Sequence, residues 1–195
     1  MSVEFYEKNH REYIEATLQV DMSALYQPFC QMLHKNAKIL DAGCGSGRDT
    51  QFFINAGFEV VAIDASSKMV KATKKLTGAD CRQMSFEELK LENDFDGIWA
   101  CASLLHVKRA GLPSVLTKFA SVLRPNGVMY ISFKHGTEER EAGLRYFNDL
   151  NQDLFNVIVA NVPNFEINKV WITCDARPRR GHEKWLNCIL IKEAN

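Results

Sequence analysis

A chain of 195 residues, 46% of them hydrophobic and 25% charged, is long enough to bury a substantial core within one domain. Its 24 Lys and Arg against 24 Asp and Glu leave no net charge, so no overall field exists to hold nucleic acid or an anionic membrane. No stretch approaches the ~20 apolar residues that span a bilayer, and Glu4, Glu7, Lys8 and His10 interrupt the amino terminus where a secretory core would lie, so a cytoplasmic protein is expected.

Residues 1–36 read as a helical arm, with Phe5, Tyr6, Tyr13, Ile14, Leu18, Met22, Leu25 and Phe29 at roughly helical spacing and Pro28 interrupting its last part. From residue 37 onward apolar runs alternate with amphipathic segments, the pattern of parallel strands joined by helical crossovers. The expected strands are 38–41, 59–64, 79–84, 95–101, 127–133, 169–175 and 185–193. Helices are expected at 49–56, 68–76, 86–89, 112–123 and 150–160. The fold class is α/β: a doubly wound, Rossmann-like, mostly parallel sheet of seven strands with helices on both faces, residues 37–195 forming one core behind the arm. Handedness puts the first strand centrally and its carboxyl end at the switch point where such sheets bind ligands.

That carboxyl end carries Asp41-Ala42-Gly43-Cys44-Gly45-Ser46-Gly47-Arg48. A strand that stops and feeds a helix directly needs positive φ angles and bare backbone where a ligand approaches. Gly43, Gly45 and Gly47 supply both, but their spacing is not the G-x-G-x-x-G of dinucleotide enzymes. Asp41, ahead of the first glycine, would repel a diphosphate and suits a ligand carrying a sulfonium or ammonium charge. Asp64 closes the next apolar run, where an acid can accept hydrogen bonds from ribose hydroxyls. Arg48, in the first turn after the loop, can pair with a ligand carboxylate or bridge to Asp49 or Asp41.

The segment resembles motif I and the acidic second-strand motif of class I S-adenosylmethionine-dependent methyltransferases. The resemblance continues in order through Phe95-Asp96-Gly97-Ile98-Trp99-Ala100, Ser103-Leu104-Leu105-His106-Val107 and Leu123-Arg124-Pro125-Asn126-Gly127-Val128. It implies S-adenosylmethionine as cofactor, S-adenosylhomocysteine as product, and a last strand running antiparallel between the fifth and sixth. It also implies that the arm covers the cofactor's open face, that Tyr13 touches its methionine end, and that Met69, Ser85 and Phe86 line the adenine. Asp41, Gly43, Gly45, Gly47, Arg48, Asp64, Ala65 and Cys101 complete the implied cofactor set. Many relatives carry an Asp at the adenine amino group, where this chain offers Ser85.

Methyl transfer is an in-line displacement, so the enzyme chiefly aligns its reactants and excludes water. A hydroxyl or protonated amine acceptor also needs a base, and His106, after the fourth strand, is the candidate, with capping or orienting the next helix as its alternative. Lys134, Arg145, Tyr146, Arg177, Arg180 and Trp185 lie in loops at the same sheet edge and are candidates for acceptor contacts through bidentate and stacking interactions. Arg177 to Lys184 also reads as a solvated hairpin. The expected function is methylation of an O or N atom of a small molecule by a monomer or homodimer. An RNA or protein methyltransferase and a non-catalytic cofactor-binding regulator are the alternatives. Zero net charge, and Ala102-Ser103-Leu104-Leu105 where base-methylating enzymes carry N-P-P-Y or D-P-P-Y, stand against a nucleic-acid partner. Cys30, Cys44, Cys81, Cys101, Cys174 and Cys188 include no C-x-x-C pair and read as small buried hydrophobes in a reducing compartment. Cys174, His182 and Cys188 match no common zinc spacing, and no metal is expected.

Overall fold

The computed structural model describes residues 2–92 and 94–194. Short apolar runs rich in Val and Ile form the centre of one seven-stranded sheet because strands covered on both faces must be apolar throughout. β1 (Lys38–Ala42), β2 (Glu59–Asp64), β3 (Asp80–Gln83), β4 (Phe95–Ala100) and β5 (Leu123–Lys134) are parallel, and β8 (Phe165–Cys174) and β9 (Lys184–Lys192) follow. The order is β3-β2-β1-β4-β5-β9-β8, with β9 antiparallel to both neighbours, as the resemblance implies. The β3 edge is polar, carrying Asp80 and Arg82, whereas the β8 edge mixes Glu166 and Lys169 with apolar residues that include the exposed Ile172.

Alternation along the strands sends side chains to two cores. Leu40, Ala42, Ile98, Ala100, Met129 and Ile131 pack against α5 (Leu112–Val122) and α6 (Gln152–Val159). Ile39, Trp99, Val128 and Tyr130 face the opposite way, against Tyr26 and Phe29 of α2 (Ser23–Cys30) and Phe53 of α3 (Arg48–Asn55). Trp99 stacks on Tyr130 at 3.9 Å between ring centres, filling this face with rigid aromatic volume. Pro28 sits inside α2 instead of ending it.

The arm is α1 (Ser2–Thr17), kinked at Asn9, followed by α2. The Glu7 carboxylate accepts from Ser66 Oγ at 2.9 Å and from the Lys68 N–H at 3.2 Å, so an acid of the arm occupies the positive end of α4 (Ser67–Thr77). At the other end of α1, Ser2 Oγ accepts from the Tyr146 N–H at 3.1 Å. These ties hold α1 across the carboxyl edge of the sheet.

Two expectations fail locally. Residues 86–89 form a turn instead of a helix, too short to repay the cost of nucleating one. Arg145 and Tyr146, expected in a loop, lie instead on a hairpin, β6 (Glu139–Ala142) and β7 (Arg145–Asn148), around Gly143-Leu144. Among the described residues, no helix is long and apolar enough to cross a membrane.

Candidate functional site

Gly43 (φ +90°) and Gly45 (φ +51°) take the left-handed conformation that the turn after β1 demands. A Cβ on Gly43 would collide with Cβ of Ser103, and one on Gly45 would come within 3.4 Å of the Tyr13 ring. The loop is tied to β2 by the Gly43 and Cys44 N–H groups, both donating to the Ile63 carbonyl at 2.8 and 3.0 Å. Asp64 completes the cradle, accepting the Gly45 N–H at 3.0 Å and the Ser66 N–H at 2.8 Å. Burial pushes its carboxyl up to about 6 against the opposing pull of these two donors.

Two cavities meet beside this loop. One, of about 210 Å³, extends toward the β8–β9 connection; the other, of about 400 Å³, extends past Asp64, Ala65, Ser85 and Phe86. Tyr6, Tyr13, Gly43, Gly45, Cys101, Ala102 and His106 line both. Ala102 holds φ +52°, a conformation costly for a residue with a Cβ, and its N–H donates to Ser132 Oγ at 2.9 Å. Strain therefore sits where the cavities join.

Three of the residues expected at the cofactor line neither cavity. Asp41 is 2% exposed and lies beneath the loop, accepting from Thr50 Oγ1, with burial and the neighbouring Asp49 charge raising its carboxyl. Gly47 precedes α3 and faces Thr73, serving the contact between helices. Met69 is fully buried three residues after the Ser66 cap, on the inner face of α4. All three lie away from the cavity walls.

Arg48 lines the first cavity and bridges to Asp49, not Asp41. Asp49 accepts four bonds: from Tyr26 Oη at 2.5 Å, Trp99 Nε1 at 2.9 Å, and Arg48 Nε and Nη2 at 2.6 and 3.0 Å. Burial alone would raise its carboxyl, but the Arg48 charge and these donors hold it below the ordinary range. One carboxylate thereby ties Tyr26 of the helical arm and Trp99 of β4 to Arg48 of α3.

His106 ends a 3-10 turn after β4. Its Nδ1 lies 2.6 Å from the Tyr146 carbonyl, an acceptor only, which places the proton on Nδ1 and leaves Nε2 to accept from Tyr6 Oη at 2.7 Å. Burial, with a smaller contribution from Arg145, pushes the imidazole down to about 4 despite the Tyr146 carbonyl, so it is neutral at physiological pH. Burial likewise raises the phenols of Tyr6 and Tyr13, the latter to about 12.

Of the candidate acceptor contacts, Lys134, Arg145, Arg177, Arg180 and Trp185 line the first cavity. Tyr146 lines the second instead, because alternation along β7 sends it opposite to Arg145 and Phe147, and its hydroxyl bonds to Glu139. Asp175 sits at the first cavity's base, accepting from Arg177 Nε at 2.9 Å and Trp185 Nε1 at 3.0 Å. Burial opposes its ionisation, yet the Arg177 bonds bring its carboxyl down to about 2. Residues missed from sequence are Tyr6, Phe147 and Asn187. The signal for Phe147 was the Gly143-Leu144 pair, since glycine opening a two-residue loop between alternating segments marks a hairpin.

The family model described as a methyltransferase domain matches residues 39–127. Ubiquinone biosynthesis O-methyltransferase from Bradyrhizobium sp. (strain ORS 278) is 31% identical over 117 residues, covering 53% of this chain and 46% of that protein. The chain thus spans about half the length of the curated relatives it matches. A Burkholderia thailandensis 1,6-didemethyltoxoflavin-N1-methyltransferase, solved with 1,6-didemethyltoxoflavin and S-adenosylhomocysteine bound, superposes with a TM-score of 0.80 at 22% identity, covering 99% of this chain and 88% of that one. A methyltransferase from Methanosarcina mazei gives a TM-score of 0.76 at 16% identity, with 90% and 100% covered. At such identities the superpositions speak for a shared fold.

Proposed function

We propose that the chain is a class I S-adenosylmethionine-dependent methyltransferase and that it transfers a methyl group to an oxygen or nitrogen atom of a small-molecule acceptor. The observation that carries this reading is the junction of two cavities at the glycine loop, one suited to a nucleoside and the other to a second molecule. The residues fit the donor: the carboxylate of Asp64 is poor company for a diphosphate but accepts hydroxyl donors, and the bare backbone at Gly43 and Gly45 leaves room for a close approach. Ala65, Ser85 and Phe86 would hold the adenine, Asp64 the ribose, and Tyr13 and Arg48 the methionine end. When bound, S-adenosylmethionine supplies an electrophilic methyl group on a sulfonium.

The side chains at the junction align, dry and deprotonate. Tyr6 and Tyr13 close the arm over the site and exclude water. His106 is the proposed base: the Tyr146 carbonyl holds the proton on Nδ1, and Nε2 receives the acceptor's proton in place of, or relayed through, the Tyr6 hydroxyl. Its depressed basicity means that it takes this proton only as the acceptor becomes acidic during methylation. Replacing His106 by Ala is expected to lower the turnover number by roughly 100-fold or more while changing S-adenosylhomocysteine affinity far less. Because the imidazole stays neutral down to about pH 4, the wild-type rate is expected to show no limb at a free histidine's pKa near ~6.5. Unchanged turnover in the variant would return His106 to a structural role.

We read the protein as cytoplasmic, on the support of six free thiols that include the exposed Cys174. The function is tested by adding S-adenosylhomocysteine during thermal melting, which is expected to raise the melting temperature through binding to the native state. Labelled donor is then incubated with separate metabolite, RNA and protein fractions. Label in the metabolite pool supports the proposal, whereas label only in a macromolecular fraction, or stabilisation by NAD alone, overturns it.

A further inference from the structure

Five fixed cations line the first cavity, and their partners differ. Arg48 is bound to Asp49, Lys134 and Arg180 to Glu183, and Arg177 to Asp175. Arg145 forms no ion pair with any described carboxylate, and its Nε is buried without a hydrogen-bond partner. Its guanidinium is nonetheless held in place, 4.2 Å from the Phe5 ring centre and 5.0 Å from that of Phe147. Two aromatic faces, one from the arm and one from β7, thus fix a partly buried cation in orientation while no described carboxylate matches its charge. A planar fork of donors restrained in this way suits a carboxylate or a similar oxyanion, because little freedom is lost when the bonds form.

The cation also stands beside the reacting groups. Phe5, one of its two aromatic faces, meets the Tyr6 ring at 5.3 Å between centres, and Phe147, the other, meets the His106 ring at 5.2 Å. An acceptor anchored at Arg145 therefore lies next to the Tyr6–His106 pair.

Resting on the methyltransferase reading, we infer that the acceptor is a small anion whose carboxylate or comparable oxyanion pairs with Arg145, so that this residue selects the substrate and positions it at the Tyr6–His106 pair.

Benzoate and benzamide, alike in shape and different in charge, are the probes, titrated into protein saturated with S-adenosylhomocysteine and followed by ligand-observed NMR. Benzoate is expected to bind the wild type about tenfold or more tightly than benzamide, as loss of a charge-assisted bond predicts. In Arg145→Gln this preference should vanish, with benzamide affinity and S-adenosylhomocysteine affinity held; Arg145→Lys should retain part of it. Equal binding of the two probes to the wild type, or no benzoate binding, overturns the inference without needing any variant. So does an Arg145→Gln protein that loses S-adenosylhomocysteine and keeps benzoate, since Arg145 would then serve the donor. Failure of the wild type to bind S-adenosylhomocysteine at all would instead defeat the methyltransferase reading.

Discussion

Asp49→Ala is expected to lower the melting temperature of the unliganded protein by on the order of 10 °C, the largest stability loss of any single change at the site. The deletion leaves Arg48 without its counter-charge and strands the donors of Tyr26 and Trp99, both of them buried. Breaking one side of a buried pair costs about 3–5 kcal/mol, most of it the penalty of the orphaned charge. Tyr26→Phe, which removes one donor and keeps the ring, should cost only about 1 kcal/mol. Melting curves of the two variants test the difference, and a comparable loss in both would mean that packing, not the carboxylate, holds this face together. The pH response has a definite sign. Asp49 is held below the ordinary carboxylate range, so its contribution is present at neutral pH and is lost as pH falls. Asp41 is raised, so its contribution runs the other way, present in acid and lost as pH climbs through its folded value.

Asp64→Ala is expected to weaken S-adenosylhomocysteine binding about 100-fold or more, because it removes the proposed ribose acceptor and frees the glycine loop at once. The carboxylate binds one N–H from that loop and one from the start of α4, so its loss disorders both walls of the donor cavity. With its carboxyl raised to about 6, two readings of opposite sign follow. Donor-product affinity should fall as pH drops through 6, since only the ionised form offers both oxygens to hydroxyl donors. Stability of the unliganded protein should gain from this group over the same descent, because the folded state holds the proton more tightly than the unfolded chain. Asp64→Asn should flatten both. Calorimetric titration and melting between pH 5 and pH 8 separate them, and an affinity that rises in acid would dismiss the ribose role.

The glycine loop and Asp64 were legible in the sequence because their chemistry is local: a positive φ and a bare backbone leave glycine as the residue of choice, and a strand end followed by a capping Ser fixes where the acid lies. The strand series was legible for the same reason, since doubly covered strands are apolar runs. Met69 escaped because its position depends on the rotation of α4, which one residue of register decides. Tyr146 escaped for a parallel reason: along β7 neighbouring side chains face opposite ways, so Arg145 and Phe147 line one cavity and Tyr146 the other. Tyr6 was missed because a tyrosine on an apolar helix face gives no hint of a partner 100 positions away in the chain.

One helix, α1, forms part of the wall of both chambers through Tyr6 and Tyr13. Whichever ligand arrives first rests on these two rings and sets the surface that the second meets. The two affinities are therefore linked by a single factor: whatever the spent donor adds to acceptor binding, the acceptor must add in equal measure to the spent donor.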